Sequence, residues 1–174
     1  MNGCKTYSII IRRGGKTPPL NPKQQRKSIK FMSEIFISKS ERETENIAFN
    51  LAKENKIKPG DIIALNGDLG AGKTAFTRGL VKFFLPEMRV TSPTFALVNE
   101  YKNILHFDMY RIDSESEEDL LSIGFYDYLD RLPDSIIIIE WFDKIAAFFD
   151  ESTVNIDIVK INENERRINV DIRH

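Results

Sequence analysis

Short runs of apolar residues separated by polar turns organise this chain, with the periods of both strands and helices. From Lys30 the sequence Phe31, Glu34, Ile35, Phe36, Ile37 predicts a first strand. Ser40 then caps a helix, with Glu43 at the capping-box position and Ile47, Ala48, Leu51 and Ala52 as its buried stripe. Asp61 to Asn66 is a short apolar run entered through Pro59-Gly60, and it reads as a buried strand. Between Thr74 and Leu85, Phe76, Leu80, Phe83 and Phe84 recur at helical spacing until Pro86 ends the helix.

The second half continues the alternation. Val90 to Phe95 is a polar loop around Pro93. Strands near Phe95–Tyr101 and Ile104–Tyr110 are joined by Lys102-Asn103, the short link of an antiparallel hairpin. Ser114 to Leu121 begins an acidic helix, with Ser114 and Ser116 as caps, and Phe125 to Leu132 forms another. Ile136 to Ile139 is a second buried strand, ending in Glu140, and Trp141 to Phe149 reads as a short helix. Val154, Ile156, Ile158, Ile161, Ile168, Val170 and Ile172 then alternate through a terminal hairpin turned at Asn162–Glu165. No internal repeat and no second folded domain is visible.

Composition changes this picture at one end only. Of 25 basic residues in the 174-residue chain, eight lie in residues 1–31, which hold no acid. The remainder carries 17 basic against 26 acidic side chains, a net −9, which argues against a nonspecific grip on nucleic acid. Gly14-Gly15, Pro18-Pro19 and Pro22 break any regular pattern. Residues 1–31 are therefore expected to be a disordered basic leader, or a stretch translated ahead of a start at Met32, with residues 32–174 the folded domain. The sharper alternative is a targeting or RNA-contacting arm. The single cysteine, Cys4, allows no internal disulfide, and no apolar run approaches membrane-spanning length, so a cytoplasmic location is expected.

The chemistry lies between the first buried strand and the helix after it. Gly67-Asp68-Leu69-Gly70-Ala71-Gly72-Lys73-Thr74 fits the phosphate-loop pattern G-x-x-x-x-G-K-[ST]. Its glycines let backbone N–H groups turn inward around an anion, Lys73 adds positive charge, and Thr74 offers a hydroxyl to Mg²⁺. The following helix aims its positive end at the same place. A glycine-rich turn without a ligand is the bland alternative, and the strand–loop–helix context speaks against it.

Such a loop needs an acidic partner at the end of a neighbouring strand, and Glu140 after Ile136–Ile139 fits, as would a carboxylate that merely ends a strand in solvent. In His106-Phe107-Asp108-Met109-Tyr110-Arg111, strand alternation puts His106, Asp108 and Tyr110 on one face. Asp108 there either orients an attacking water or belongs to an ordinary solvent face. Thr91-Ser92-Pro93-Thr94 is either a γ-phosphate sensor or a plain turn, Arg111 either a phosphoryl contact or a surface ion pair, and Trp141 either core or base-stacking. His106 has only His174 as another histidine, so a metal site made of side chains alone is not expected. Asn55-Lys56-Ile57-Lys58 lacks the Asp of a guanine-reading element, which favours ATP over GTP.

Taken together these blocks resemble the TsaE family, also called YjeE, of small bacterial ATPases. The likeness rests on the phosphate loop followed by Ser92-Pro93-Thr94-Phe95, Val98-Asn99-Glu100-Tyr101, His106 to Arg111, Gly124 with Tyr128, and Ile139-Glu140-Trp141, across about residues 35–172. The resemblance implies an α/β fold, a P-loop NTPase three-layer sandwich with a mixed sheet and added antiparallel strands. It implies binding and hydrolysis of ATP with Mg²⁺, weak without partners, in support of the TsaB and TsaD proteins that make threonylcarbamoyladenosine in tRNA. It further implies Lys73, Asp108 and Glu140 as catalytic groups and Thr74 with Glu140 as Mg²⁺ ligands. Nucleotide contacts are implied at Asp68, Leu69, Gly70, Ala71, Gly72, Lys73, Thr74, Ala75, Thr91, Thr94 and Trp141. The rival reading is a kinase on the same scaffold. Its weakness is the lack of a lid: after Glu140 the arginines are Arg166, Arg167 and Arg173, all in the terminal hairpin.

Overall fold

The predicted order of strands and helices is met in the computed structural model, which describes residues 31–93, 96–112, 117–149 and 152–173. The basic leader up to residue 30, Thr94, Phe95 and the proposed caps Ser114 and Ser116 lie outside the described residues. The strands are β1 (Phe31–Ser38), β2 (Ile62–Asn66), β3 (Val98–Tyr101), β4 (Ile104–Asp108), β5 (Ile136–Glu140), β6 (Val154–Lys160) and β7 (Arg166–Arg173). They form one sheet in the order β1-β7-β6-β2-β5-β4-β3. Helices α1 (Glu41–Lys53), α2 (Lys73–Phe84), α3 (Glu118–Ser122) and α4 (Phe125–Leu129) complete the fold.

The four central strands β6, β2, β5 and β4 run parallel, and hairpins β3–β4 and β6–β7 add antiparallel strands on either side. Parallel strands covered on both faces need apolar side chains at every position, which explains the unbroken runs in β2 and β5. Ile63, Leu65, Ile136 and Ile138 point into one cluster with Ala48, Leu51, Phe76 and Leu80 of α1 and α2. Ile62, Ala64, Ile137 and Ile139 point into the other, with Phe107, Leu120, Phe125 and Phe142. On the edge strand β1, Met32 and Phe36 pack against the first cluster, while Phe31, Ile35 and Ile37 are exposed.

Helix α1 begins as expected at Ser40, whose Oγ accepts from the Glu43 N–H at 3.2 Å. The Glu43 carboxylate, however, takes the N–H of Lys39 at 2.7 Å, one residue ahead of the capping-box position. Helices α1 and α2 touch backbone to backbone at Gly79, where an added Cβ would lie 2.0 Å from the Glu45 carbonyl oxygen. Arg78 ties the same helices together through Glu41 and Glu45.

Several predicted elements are shorter than the pattern suggested. The segment after Glu140 is a single 3₁₀ turn, Phe142–Lys144, because Trp141 adopts a left-handed backbone (φ +60°) that turns the chain sharply out of β5. Phe142, Ile145 and Phe149 are still buried together, which is the helical spacing the sequence displays. The helix expected through Leu132 stops at Leu129, and a 3₁₀ turn containing Pro133 follows. Strand β3 starts at Val98, and β4 ends at Asp108, so Tyr110 belongs to a 3₁₀ turn and not to the strand face. No described helix is long and apolar enough to cross a membrane.

Candidate active site

The loop Gly67–Thr74 leaves the end of β2 and enters α2. Gly67 has φ +137°, and a Cβ there would lie 2.4 Å from the carbonyl oxygen of Ile158, so only glycine lets the loop pass this close to β6. Gly72 caps α2 in a left-handed conformation. The open first turn of α2 therefore directs its N–H groups into the bend of the loop.

Lys73 is the first helical residue and is only 5% exposed. Its Nζ donates to the carbonyls of Gly67 at 2.6 Å and Asp68 at 3.0 Å, and lies 3.7 Å from the centre of the Trp141 ring. Burial lowers the Lys73 pKa from the ordinary lysine value, against the pull of Glu140, Asp108, Asp143 and Asp68. The ammonium is thus held in a poorly solvated place where an incoming anion would find it strongly attractive.

Glu140 and Asp108 reach the same cleft through strand register. Leu65 of β2 and Asp108 of β4 both lie opposite Glu140 at the ends of adjacent parallel strands. Both acids are buried, as is every residue of β4, so the alternative of an ordinary solvent face does not apply. Thr74 Oγ1 donates to the Glu140 carboxylate, 3.0 Å from Oε1 and 3.3 Å from Oε2. His106 Nε2 is 2.8 Å from Glu140 Oε1. Asp108 accepts from Ser92 Oγ on one oxygen and from the Tyr110 N–H on the other, each at 3.0 Å.

These groups line a cleft of about 400 Å³. Of the predicted contacts, Leu69, Gly70, Gly72, Lys73, Thr74, Ala75, Asp108, Glu140 and Trp141 are on its wall. Asp68 and Ala71 support the loop from behind: Ala71 N–H bonds the Asp68 carbonyl at 3.1 Å. Thr91 lines an adjoining groove that shares Thr74, Arg78 and Ser92 with the cleft. Tyr101 clamps Thr91, its hydroxyl meeting the Thr91 N–H at 3.3 Å and the Thr91 carbonyl at 3.2 Å, with Asn99 on the same carbonyl at 3.0 Å. Arg111 is exposed in the turn after β4 and does not line the cleft.

Sequence reasoning missed one side of the site. Glu41, Thr44 and Arg78 of the helix pair and Arg166 of β7 also line the cleft. Arg166 sits at the first position of β7, its Nε donating to the Ala71 carbonyl at 3.3 Å, so it reaches the loop from a rigid strand and not from a lid. No local motif marks these residues: Arg166 lies opposite Ser38 in the β1–β7 register, Ser38 Oγ is 2.8 Å from Thr44 Oγ1, and Arg78 is paired with Glu41.

Among the described residues no group of three or more His, Cys, Asp and Glu side chains forms a metal cage. Thr74 and Glu140 instead offer two oxygen ligands side by side at the loop. That sparse set suits Mg²⁺, which keeps several waters and takes its remaining ligands from phosphate.

A family model described as threonylcarbamoyl adenosine biosynthesis protein TsaE matches residues 38–168. A Rickettsia typhi protein named tRNA threonylcarbamoyladenosine biosynthesis protein TsaE is 40% identical over 134 residues, covering 74% of this chain and 88% of the relative. A Bacillus subtilis protein of the same name is 35% identical over 115 residues, covering 64% of this chain and 69% of the relative. Among solved structures, Bacillus subtilis YdiB superposes with a TM-score of 0.60 at 27% identity, covering 82% of this chain and 87% of that one. The fold is accordingly that of a P-loop NTPase.

Proposed function

The chain belongs to the TsaE family, and from that premise we propose that it binds and hydrolyses ATP with Mg²⁺ to support threonylcarbamoyladenosine formation in tRNA. TsaB and TsaD proteins are its partners in this reading, tRNA is reached through their complex, and the site of action is the cytoplasm. Residues 32–174 form the ATPase unit. The observation that carries the reading is the Thr74–Glu140 hydrogen bond beside the buried Lys73, with Asp108 opposite Glu140 in register.

In the mechanism, loop N–H groups and Lys73 hold the phosphates and offset the charge that builds in the transition state. Thr74 and Glu140 would hold Mg²⁺, which when bound would offset the negative charge of the phosphate oxygens. Asp108 orients the attacking water, and its bond to Ser92 ties the Thr91–Ser92 segment to the same event. Trp141, beside Lys73, flanks the phosphate end of the cleft.

The test is a reconstitution with TsaB, TsaD and tRNA at limiting TsaD, with labelled ATP. The expected result is free phosphate, more of it with the partners present, and modification beyond the first turnover only when this chain is added. Phosphate appearing on an acceptor in place of free phosphate would establish the kinase reading instead. Lys73→Ala and Thr74→Ala should abolish activity. Asp108→Ala and Glu140→Ala should keep nucleotide binding while slowing hydrolysis at least ~10²-fold. Undiminished hydrolysis in the Asp108 variant would remove that residue from the mechanism.

A further inference from the structure

His106 is a fully buried histidine that phosphate binding and hydrolysis, as derived above, leave without a task. It lies on β4 two residues before Asp108 and points to the same side of the sheet. Its backbone is fixed between Asn99 of β3 and Ile138 of β5. Its Nε2 stands 2.8 Å from Glu140 Oε1. A carboxylate only accepts, so Nε2 carries the hydrogen and donates it, and in the neutral ring Nδ1 is then the bare nitrogen. Nδ1 is buried and has no hydrogen-bond partner among the described residues. A ring placed only to fill space would avoid that penalty by being apolar, as Ile104 on the same side of β4 is.

Glu140 Oε1 thus receives His106 at 2.8 Å and Thr74 at 3.0 Å, whereas Oε2 receives Thr74 alone among the described residues and more distantly, at 3.3 Å. We propose that His106 is a positioning residue for the metal site: by occupying Oε1 it fixes the rotation of the Glu140 carboxylate and presents Oε2 to Mg²⁺ or to a water on it. The proposal rests on the Mg²⁺–ATP reading above. Outer groups that orient a metal-binding carboxylate are worth ~10–100-fold in metal affinity or activity.

The experiment follows ADP and ATP binding to the full chain by the emission of its single tryptophan, Trp141, which stands beside Lys73 in the cleft, while Mg²⁺ is varied. In the wild-type chain Mg²⁺ should tighten nucleotide binding; if it does not, the Mg²⁺–ATP reading fails before His106 is in question. His106→Asn puts its amide near the Nδ1 position, too short to reach Glu140. It should raise the Mg²⁺ half-saturation ~10-fold or more while leaving Mg²⁺-free nucleotide affinity within ~2-fold. His106→Gln carries an amide N–H near the Nε2 position and should restore the wild-type Mg²⁺ response. An unchanged half-saturation in folded His106→Asn, or no rescue by His106→Gln, overturns the proposal. Should His106→Asn fail to fold, the imidazole nitrogen spectrum of the ¹⁵N-labelled wild type decides: a protonated Nε2 that shifts when Mg²⁺ is added to the nucleotide complex supports the assignment, and a protonated Nδ1 with bare Nε2, or no shift, overturns it.

Discussion

Replacing Gly79 with alanine tests the packing that supports the phosphate loop, because propensity and structure predict opposite signs. Gly79 lies inside α2, where alanine is better than glycine by about 1 kcal/mol. By that measure Gly79→Ala stabilises the protein. The new Cβ, however, would lie 2.0 Å from the Glu45 carbonyl oxygen, 2.7 Å from its carbon and 2.8 Å from Glu45 Cα. These are backbone atoms, so no side-chain rotation relieves the contact, and α1 must move away by more than an ångström. Overpacking commonly costs ~1–3 kcal/mol, and a backbone collision belongs at or above the upper end. Subtracting the propensity gain leaves a net loss of about 2 kcal/mol, or a fall in Tm of roughly 4–8 °C for a domain of this size. Urea or thermal denaturation of the two proteins is the assay, with nucleotide affinity measured beside it, since α1 carries Glu41 and Thr44 on the cleft wall. A Gly79→Ala protein as stable as wild type, or more so, would refute the claim that the two helices meet there.

Two further outcomes follow from the same site. Lys73 has a lowered pKa in the folded protein, so between that value and the unfolded value near 10.5 the unfolded chain binds more protons and wild-type stability rises with pH. Lys73→Met removes this dependence: in denaturation at pH 7 and at pH 10, the stability difference between the two proteins should shift in favour of wild type at the higher pH, and a constant difference would contradict the buried charge. Tyr101→Phe removes the hydroxyl that holds both the N–H and the carbonyl of Thr91, so amide exchange at Thr91 should accelerate by roughly the 5- to 10-fold that ~1 kcal/mol represents, with Tm little changed; unchanged exchange there would dissolve the clamp.

Much of the site was legible because its signals are local. The phosphate loop is a contiguous motif between a strand and a helix, and Glu140 closes an apolar run that marks its own end, whereas the pattern carries the strand past Asp108 to Tyr110 and β4 in fact closes at Asp108. Both hairpins followed from short polar links. Where the sequence misled, a neighbour decided the outcome. The Trp141–Phe149 segment has helical spacing, but a left-handed Trp141 ends β5 so abruptly that only a 3₁₀ turn forms. Asp108 left a solvent face open as an alternative, because burial of β4 depends on β5 on one side and β3 on the other. Arg166, Thr44 and Glu41 carry no pattern of their own; the register of β7 against β1 sets Arg166 opposite Ser38, and Glu41 and Thr44 come from the helix that follows β1. His106 looked isolated because its partner is 34 residues away, one strand over.

The Tyr101 clamp has a mechanical consequence. Tyr101 closes β3, and β3 is the outermost strand of the sheet, with one side of its backbone unpaired by any other described strand. The segment that lines the adjoining groove at Thr91 and the cleft at Ser92 is therefore anchored to the outermost strand as well as to Asp108. An unbroken run of chain and hydrogen bonds therefore joins the outermost strand to a buried carboxylate of the cleft, through Tyr101, Thr91, Ser92 and Asp108.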